Sequence, residues 1–132
     1  LKYMFQMMNG ARIAVGRDAA AVASAAYYAS LQYAKERPQG RKLTSTGRKD
    51  PNQEQTLIIN HPDVRRMLLL QKAIVEGSFS LIMEASVYKD IHDVAEGDEK
   101  ALYNLLLEIL TPIVKTYPAE KGRESVNNGL QE

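Results

Sequence analysis

The sequence predicts an all-α fold, an up-and-down bundle of three long helices of which the last is kinked. Three observations carry this reading. Met4, Met8, Ala11, Val15, Ala19, Val22, Ala26, Ala29 and Tyr33 recur at intervals of three and four, the repeat of one helix face. A new start signal stands at His61-Pro62-Asp63, where proline suits the first helical position and aspartate complements the helix dipole. Leu102, Leu105, Leu106, Ile109, Leu110 and Ile113 form a further stripe, and Pro112 and Pro118 remove two backbone donors within and beyond it, which kinks or splits the helix.

The elements follow in order within a single helical domain, residues 1–132. The first helix spans about residues 2–37. Its middle, Ala19-Ala20-Ala21 and Ala23-Ser24-Ala25-Ala26, lets a neighbouring helix approach closely. Pro38 and Gly40 stop it. A loop of about residues 38–60 holds Gly, Pro, Ser, Thr, Asn and charge with little periodicity, and a loop of that length in a compact domain is usually functional or disordered. The second helix, about residues 62–91, has Asn60 or His61 as its cap. Met67-Leu68-Leu69-Leu70 is apolar round most of a turn, and Phe79, Leu81, Ile82 and Met83 repeat this. A helix apolar on several sides is buried on several sides. Three helices offer too few neighbours, so missing helices or oligomerisation are expected to complete the bundle. An acidic linker of about residues 92–98, with Asp98 as a cap, leads into the kinked helix of about residues 99–131. No internal repeat is visible.

Composition narrows the function classes. Seventeen basic residues against sixteen acidic ones leave a net charge of +1, which implies no polyanionic partner. The chain has no cysteine, so disulfides, thiol catalysis and thiolate metal sites are excluded. His61 and His92 lack a surrounding ligand set, and Glu76 and Glu84 lack the inward Glu-x-x-His pattern of carboxylate bundles, so no metal site is expected. No apolar run reaches the roughly 20 residues needed to span a bilayer, and no charged n-region with an apolar h-region marks a secretory signal. The basic run from Arg37 to Lys42 with Arg48-Lys49 has no interleaved aromatics, so no nucleic-acid partner is expected. A Gly-rich strand-to-helix phosphate turn and a nucleophile elbow are also missing. Leu1 at the start and Gln131-Glu132 at the end fit a piece of a longer protein.

Two arginines stand out on the first helix. Arg12 lies near its start and Arg37 at its end, 25 residues apart, or about 37 Å along a helical rod. That spacing fits an elongated anionic ligand, two different ligands, or two plain surface arginines.

Longer motifs surround both. Met8-Asn9-Gly10-Ala11-Arg12 and Tyr33-Ala34-Lys35-Glu36-Arg37-Pro38-Gln39-Gly40-Arg41 resemble the two ends of the first helix in the C-terminal helical domain of acyl-CoA dehydrogenases. There an Asn/Asp-x-x-Arg motif opens the helix and Tyr-Ala-x-x-Arg-x-Gln-Phe-Gly closes it, at this separation. Ile59-Asn60-His61-Pro62-Asp63-Val64-Arg65-Arg66-Met67-Leu68 resembles the start of that domain's second helix. The tail from Lys115 to Gly129-Leu130-Gln131 resembles the helix that runs into the family's Gln-x-x-Gly-Gly motif. The resemblance covers nearly the whole chain. One departure is the missing Phe in Gln39-Gly40-Arg41, a form resembling the branch with longer C-terminal segments.

What the resemblance implies is specific. Arg37 matches the arginine that reaches the FAD diphosphate, bound mainly by the neighbouring subunit, and Gln39 matches a polar position on the same cofactor. His61 matches a histidine near the adenosine half, with helix capping as the alternative. Gln131 matches the adenine-side glutamine, without the glycine pair that completes its motif. Asn9 and Arg12 match residues beside the acyl-CoA and catalytic centre, and Met8 lines the acyl channel or is plain core. The family reaction oxidises an acyl-CoA thioester to the 2,3-enoyl-CoA: a glutamate takes the α-proton and the flavin accepts a β-hydride. That glutamate sits in a Tyr-Glu-Gly-Thr motif, which this chain does not contain. The fragment alone is therefore expected to lack a catalytic residue, to hold no FAD and to be inactive, while the parent is an oxidoreductase of fatty acid metabolism. Its partners would be acyl-CoA, a second copy in a homodimer or homotetramer, and electron-transfer flavoprotein as acceptor. Its location would be cytoplasmic, or the mitochondrial matrix in a eukaryote. Two alternatives stay open, a non-catalytic relative and a helical oligomerisation or adaptor domain.

Overall fold

The computed structural model of the protein describes residues 2–131; Leu1 and Glu132, the ends of the expected domain, lie outside them. Three α-helices make up most of it: α1 over Lys2–Glu36, α2 over Pro62–Val94 and α3 over Gly97–Leu130. One 3-10 turn, Ile58–Asn60, precedes α2. Among the described residues there is no strand, only two isolated bridges. The all-α up-and-down bundle is present.

The helices pack in consistent register. Gly16 faces Val114, Gly122 faces Ala19 and Ala23, and Gly129 faces Ser30, so α1 and α3 run parallel. The Tyr88 and Tyr103 rings meet in a tilted contact with centroids 5.5 Å apart, and Gly77 lies beside Tyr117, so α2 runs antiparallel to α3. Two apolar clusters form the core. Ala20, Ile82, Ala85 and Val114 hold the middle, flanked by Ile13, Leu81 and Leu110. Ala34, Ile58 and Leu68, with Tyr27, Leu31, Ile59 and Val64, close the end where α1 meets the loop.

Four local expectations change. The stripe from Met4 to Tyr33 is not the face that α1 buries: Val22 is 63% exposed and Tyr33 48%. The buried face carries Gly16, Ala20, Ala23, Ser30 and Ala34, small residues that allow close helix contact. In α2, Met67 and Leu68 are buried while Leu69 is 67% exposed, so its apolar turn is covered on one side. Pro112 and Pro118 lie inside α3, which is one continuous helix and is not split. Tertiary contact at Pro118, which is buried, outweighs the lost backbone donor. Finally, Asp98 does not cap α3; Glu96 is the N-cap residue, Gly97 takes φ +58°, and Asp98 and Glu99 fill the first turn.

Candidate functional site

The residues singled out above fall at two ends of one rod. At the first end, α1 finishes with Glu36, and the chain turns back through Arg37, Pro38, Gln39 and Gly40. This segment is pinned to residues just before α2. The Gln39 N–H donates to the Thr56 carbonyl at 2.9 Å, Thr56 N–H to the Gly40 carbonyl at 3.0 Å, and Ile58 N–H to the Arg37 carbonyl at 2.9 Å. Ile58 itself is buried in the core, so the pairing is anchored from below. The result is a narrow neck under a longer excursion.

His61 completes the neck. Its Nε2 donates to the Gln39 carbonyl at 2.7 Å, which assigns the proton to that nitrogen, since a carbonyl can only accept. Gly40 has φ +71°, a region that favours glycine, and a Cβ there would meet the His61 ring at 3.2 Å. His61 occupies the N-cap position of α2, but its side chain makes no cap hydrogen bond. Asn60, the other expected cap, donates to Thr56 Oγ1 at 3.0 Å instead. Both side chains hold the loop rather than the helix.

Arg37 and Gln39 are exposed on this neck. Among the described residues no carboxylate pairs with Arg37, and its guanidinium is left to solvent. Gln131 is the C-cap residue of α3, exposed, with its N–H on the Asn128 carbonyl at 3.1 Å. Because Ser30 lies against Gly129, the end of α3 reaches the level of the last turns of α1. The structure therefore brings Arg37, Gln39, His61 and Gln131 to one end, with Gln39 and His61 in direct contact.

Met8, Asn9 and Arg12 lie towards the opposite end of α1, about 37 Å from Arg37 by helical rise. Arg12 Nη1 approaches Asn9 Oδ1 at 3.5 Å, a long contact within one turn. Asn9 and Met8 are exposed and Arg12 is half-buried. The antiparallel register places the C-terminal turns of α2 at this end. There Lys89 donates to Asp93 at 2.7 Å, and this bond, aided by His92, holds the Asp93 carboxyl below its ordinary value. A hydrogen bond to the Glu84 carboxylate raises the Tyr88 phenol. Among the described residues no three His, Asp or Glu side chains converge as a metal set, and no helix is long and apolar enough to cross a membrane.

Beyond the neck the loop is ordered as a short hairpin. Leu43 bridges Lys49, Thr44 N–H donates to the Arg48 carbonyl at 2.9 Å, and Gly47 turns the chain at φ +74°. Arg41 Nε donates to the Gln53 carbonyl at 2.5 Å. Sequence reasoning treated this stretch as irregular and did not single out Thr56 and Ile58, which hold the site's shape. Signals were present in Gly40, the Thr46-Gly47 pair and the apolar run Leu57-Ile58-Ile59.

No family model matches the chain. Among curated proteins, it is 39% identical over 129 residues to a butyryl-CoA dehydrogenase of Syntrophomonas wolfei, covering 97% of this chain and 20% of that protein. It is 37% identical over 131 residues to a 3-methylmercaptopropionyl-CoA dehydrogenase of Ruegeria pomeroyi, 99% of this chain and 21% of the relative. A broad-specificity linear acyl-CoA dehydrogenase of Mycobacterium tuberculosis is 35% identical over 130 residues, 97% of this chain and 21% of the relative. The chain spans about a fifth of the length of the curated relatives it matches.

Proposed function

We propose, from the chain's homology over nearly its whole length to acyl-CoA dehydrogenases, that it is the C-terminal helical part of an FAD-dependent enzyme. That enzyme would oxidise an acyl-CoA thioester to the 2,3-enoyl-CoA, and this part would supply oligomer contacts, a share of the FAD site and a share of the substrate site. The single observation that carries the cofactor reading is the neck. It presents an exposed guanidinium without a carboxylate partner, Arg37, beside an exposed carboxamide, Gln39, on backbone fixed by His61.

The chemistry of this set fits FAD. A planar, permanently charged guanidinium is suited to a diphosphate, and a carboxamide can donate to a phosphate oxygen or accept from a hydroxyl. Arg37 would bind the diphosphate, Gln39 would orient beside it, and Gln131, at the same end, would face the adenine side. His61 would act by holding the Gln39 carbonyl and so the curvature of the neck. FAD, when bound, supplies the acceptor for the hydride leaving the substrate's β-carbon. At the other end, Asn9 and Arg12 would position the acyl-CoA, and Met8 would contact its acyl chain. The exposed apolar face of α1, with Met4, Val15 and Val22, supports burial against further protein, either other helices of the parent or a second copy.

The test is flavin retention by the full-length parent. Arg37→Glu replaces an attraction to the diphosphate by a repulsion. Charge-assisted hydrogen bonds contribute roughly 1.5–3 kcal/mol each, so FAD affinity should fall on the order of 10- to 100-fold. Arg37→Lys should recover part of this, because an ammonium lacks the bidentate fork. Arg12→Ala should slow turnover with the flavin content kept. An Arg37→Glu enzyme that purifies with its full flavin complement and unchanged affinity removes the cofactor role.

A further inference from the structure

Among the described residues the largest fully buried side chain is polar: Gln71 of α2, with 0% exposure. It sits where the three helices meet, at the Arg37–His61 end. Ser30 of α1, 8% exposed, and Gly129 of α3 complete the meeting point. A Cβ built on Gly129 would overlap Ser30 Oγ and come within 3.5 Å of the Gln71 carboxamide oxygen. Ser125 and Asn128 add buried polar atoms on the same helix.

Such a meeting point tolerates few alignments. Sliding α3 along its axis by about one turn would place Ser125 or Val126 where Gly129 now sits, and either side chain would collide with Ser30. The same slide would set a buried carboxamide against a different and partly apolar surface, which is costly. Fixing register is the best-attested use of a single buried polar residue in helical assemblies.

We propose that Gln71, acting with Ser30 and Gly129, is a positioning residue that fixes the axial register of the last two turns of α3 and so sets Gln131 at the end of the bundle that carries Arg37, Gln39 and His61. The importance of that alignment rests on the cofactor reading above, whereas the register itself can be tested without any flavin.

The test is hydrogen exchange on the 132-residue chain, read by peptide. Gln71→Met keeps length and approximate volume and removes the amide. Amides of residues 126–131 should exchange on the order of 10-fold faster than in the wild type, because the end of α3 opens locally. Protection around Ile82 and Val114 should stay unchanged, and the melting temperature should hold or rise, since apolar replacement of buried polar groups is often neutral or stabilising. Ser30→Ala perturbs the same point less and should accelerate the same amides; it decides the matter should Gln71→Met not fold. Unchanged exchange at 126–131 in the folded variants, or equal acceleration along all three helices, overturns the proposal. Loss of flavin from an Arg37 variant, or its absence, leaves this result standing on its own.

Discussion

Gly16 of α1 lies directly against the main-chain carbonyl of Val114 in α3, and that carbonyl is free to receive it because residue 118 is proline. In an uninterrupted helix the N–H of residue 118 would take the Val114 oxygen; Pro118 has none. A Cβ on Gly16 would overlap this oxygen, so the closest approach of the two helices needs both residues. The contact places the glycine's Cα–H at a carbonyl left without its helical donor, a weak but favourable pairing.

Gly16→Ala should therefore destabilise the chain by about 1–3 kcal/mol, because the obstacle is backbone and cannot rotate away. Gly10→Ala is the control. It sits on the same helix with nothing within 4 Å of its added Cβ, and should stabilise by roughly 0.5–1 kcal/mol through helix propensity. Thermal melts of the two variants should shift in opposite directions, and a shift in the same direction contradicts the packing described.

At the other α1–α3 contact, Gly129→Ala brings a methyl group into Ser30 Oγ. Because this obstacle is a side-chain hydroxyl that can change rotamer, the cost should be smaller than at Gly16, about 1 kcal/mol. Ser30→Ala removes the obstructing oxygen and leaves the residue 30 Cβ at 3.6 Å, an ordinary contact. The double variant should accordingly be more stable than Gly129→Ala alone, with a coupling of about 1 kcal/mol. Strict additivity in denaturant titrations would show that Ser30 and Gly129 do not share this space.

His61→Ala removes the bond from Nε2 to the Gln39 carbonyl while leaving the helices their core. Limited proteolysis should then cut within residues 38–57 several-fold faster, with helical circular dichroism unchanged. Gly40→Ala should act in the same direction, because φ +71° penalises a Cβ and the His61 ring stands 3.2 Å from it. Equal cutting rates in wild type and both variants would mean that the neck does not depend on this contact.

Asp93 should make a small contribution to the acid limb of stability at the other end. Hydrogen bonds from Lys89 and His92 lower its carboxyl below the ordinary 3.8. A depressed carboxyl contributes stability that is present above the ordinary value and lost as pH falls through the folded one. The side chain is half exposed, so the effect should be small. Asp93→Asn should flatten the loss of helicity below about pH 4 relative to wild type; identical acid titrations would remove Asp93 from the account.

The helices were legible because periodicity, Pro62 and the stop at Pro38-Gly40 are local signals. The buried face of α1 was not. Alanine lies on both of its stripes, and the larger residues, Met4, Val15 and Val22, occupy the stripe left exposed. Close packing selected the face with Gly16, Ala20 and Ala23, a preference set by neighbouring helices and invisible to hydrophobicity. The pairing of His61 with Gln39 spans 22 residues, and no spacing rule reaches across such a loop. Motif likeness pointed to both residues, but only the fold shows that one holds the other. Gln71 was missed because a lone glutamine within an amphipathic helix normally reads as surface.

The neck has a consequence for the hairpin above it. Since Gln39, Gly40, Thr56 and Ile58 close the excursion at its base, the link from α1 to α2 is anchored at the neck and not by what it encloses. The closure entropy of the enclosed segment grows only with the logarithm of its length, about 0.6 kcal/mol for each doubling. Residues 41–55 can thus lengthen, shorten or carry an inserted sequence at the Thr44–Gly47 turn while the bundle beneath is undisturbed. The chain has, in effect, a port at which new segments can be added.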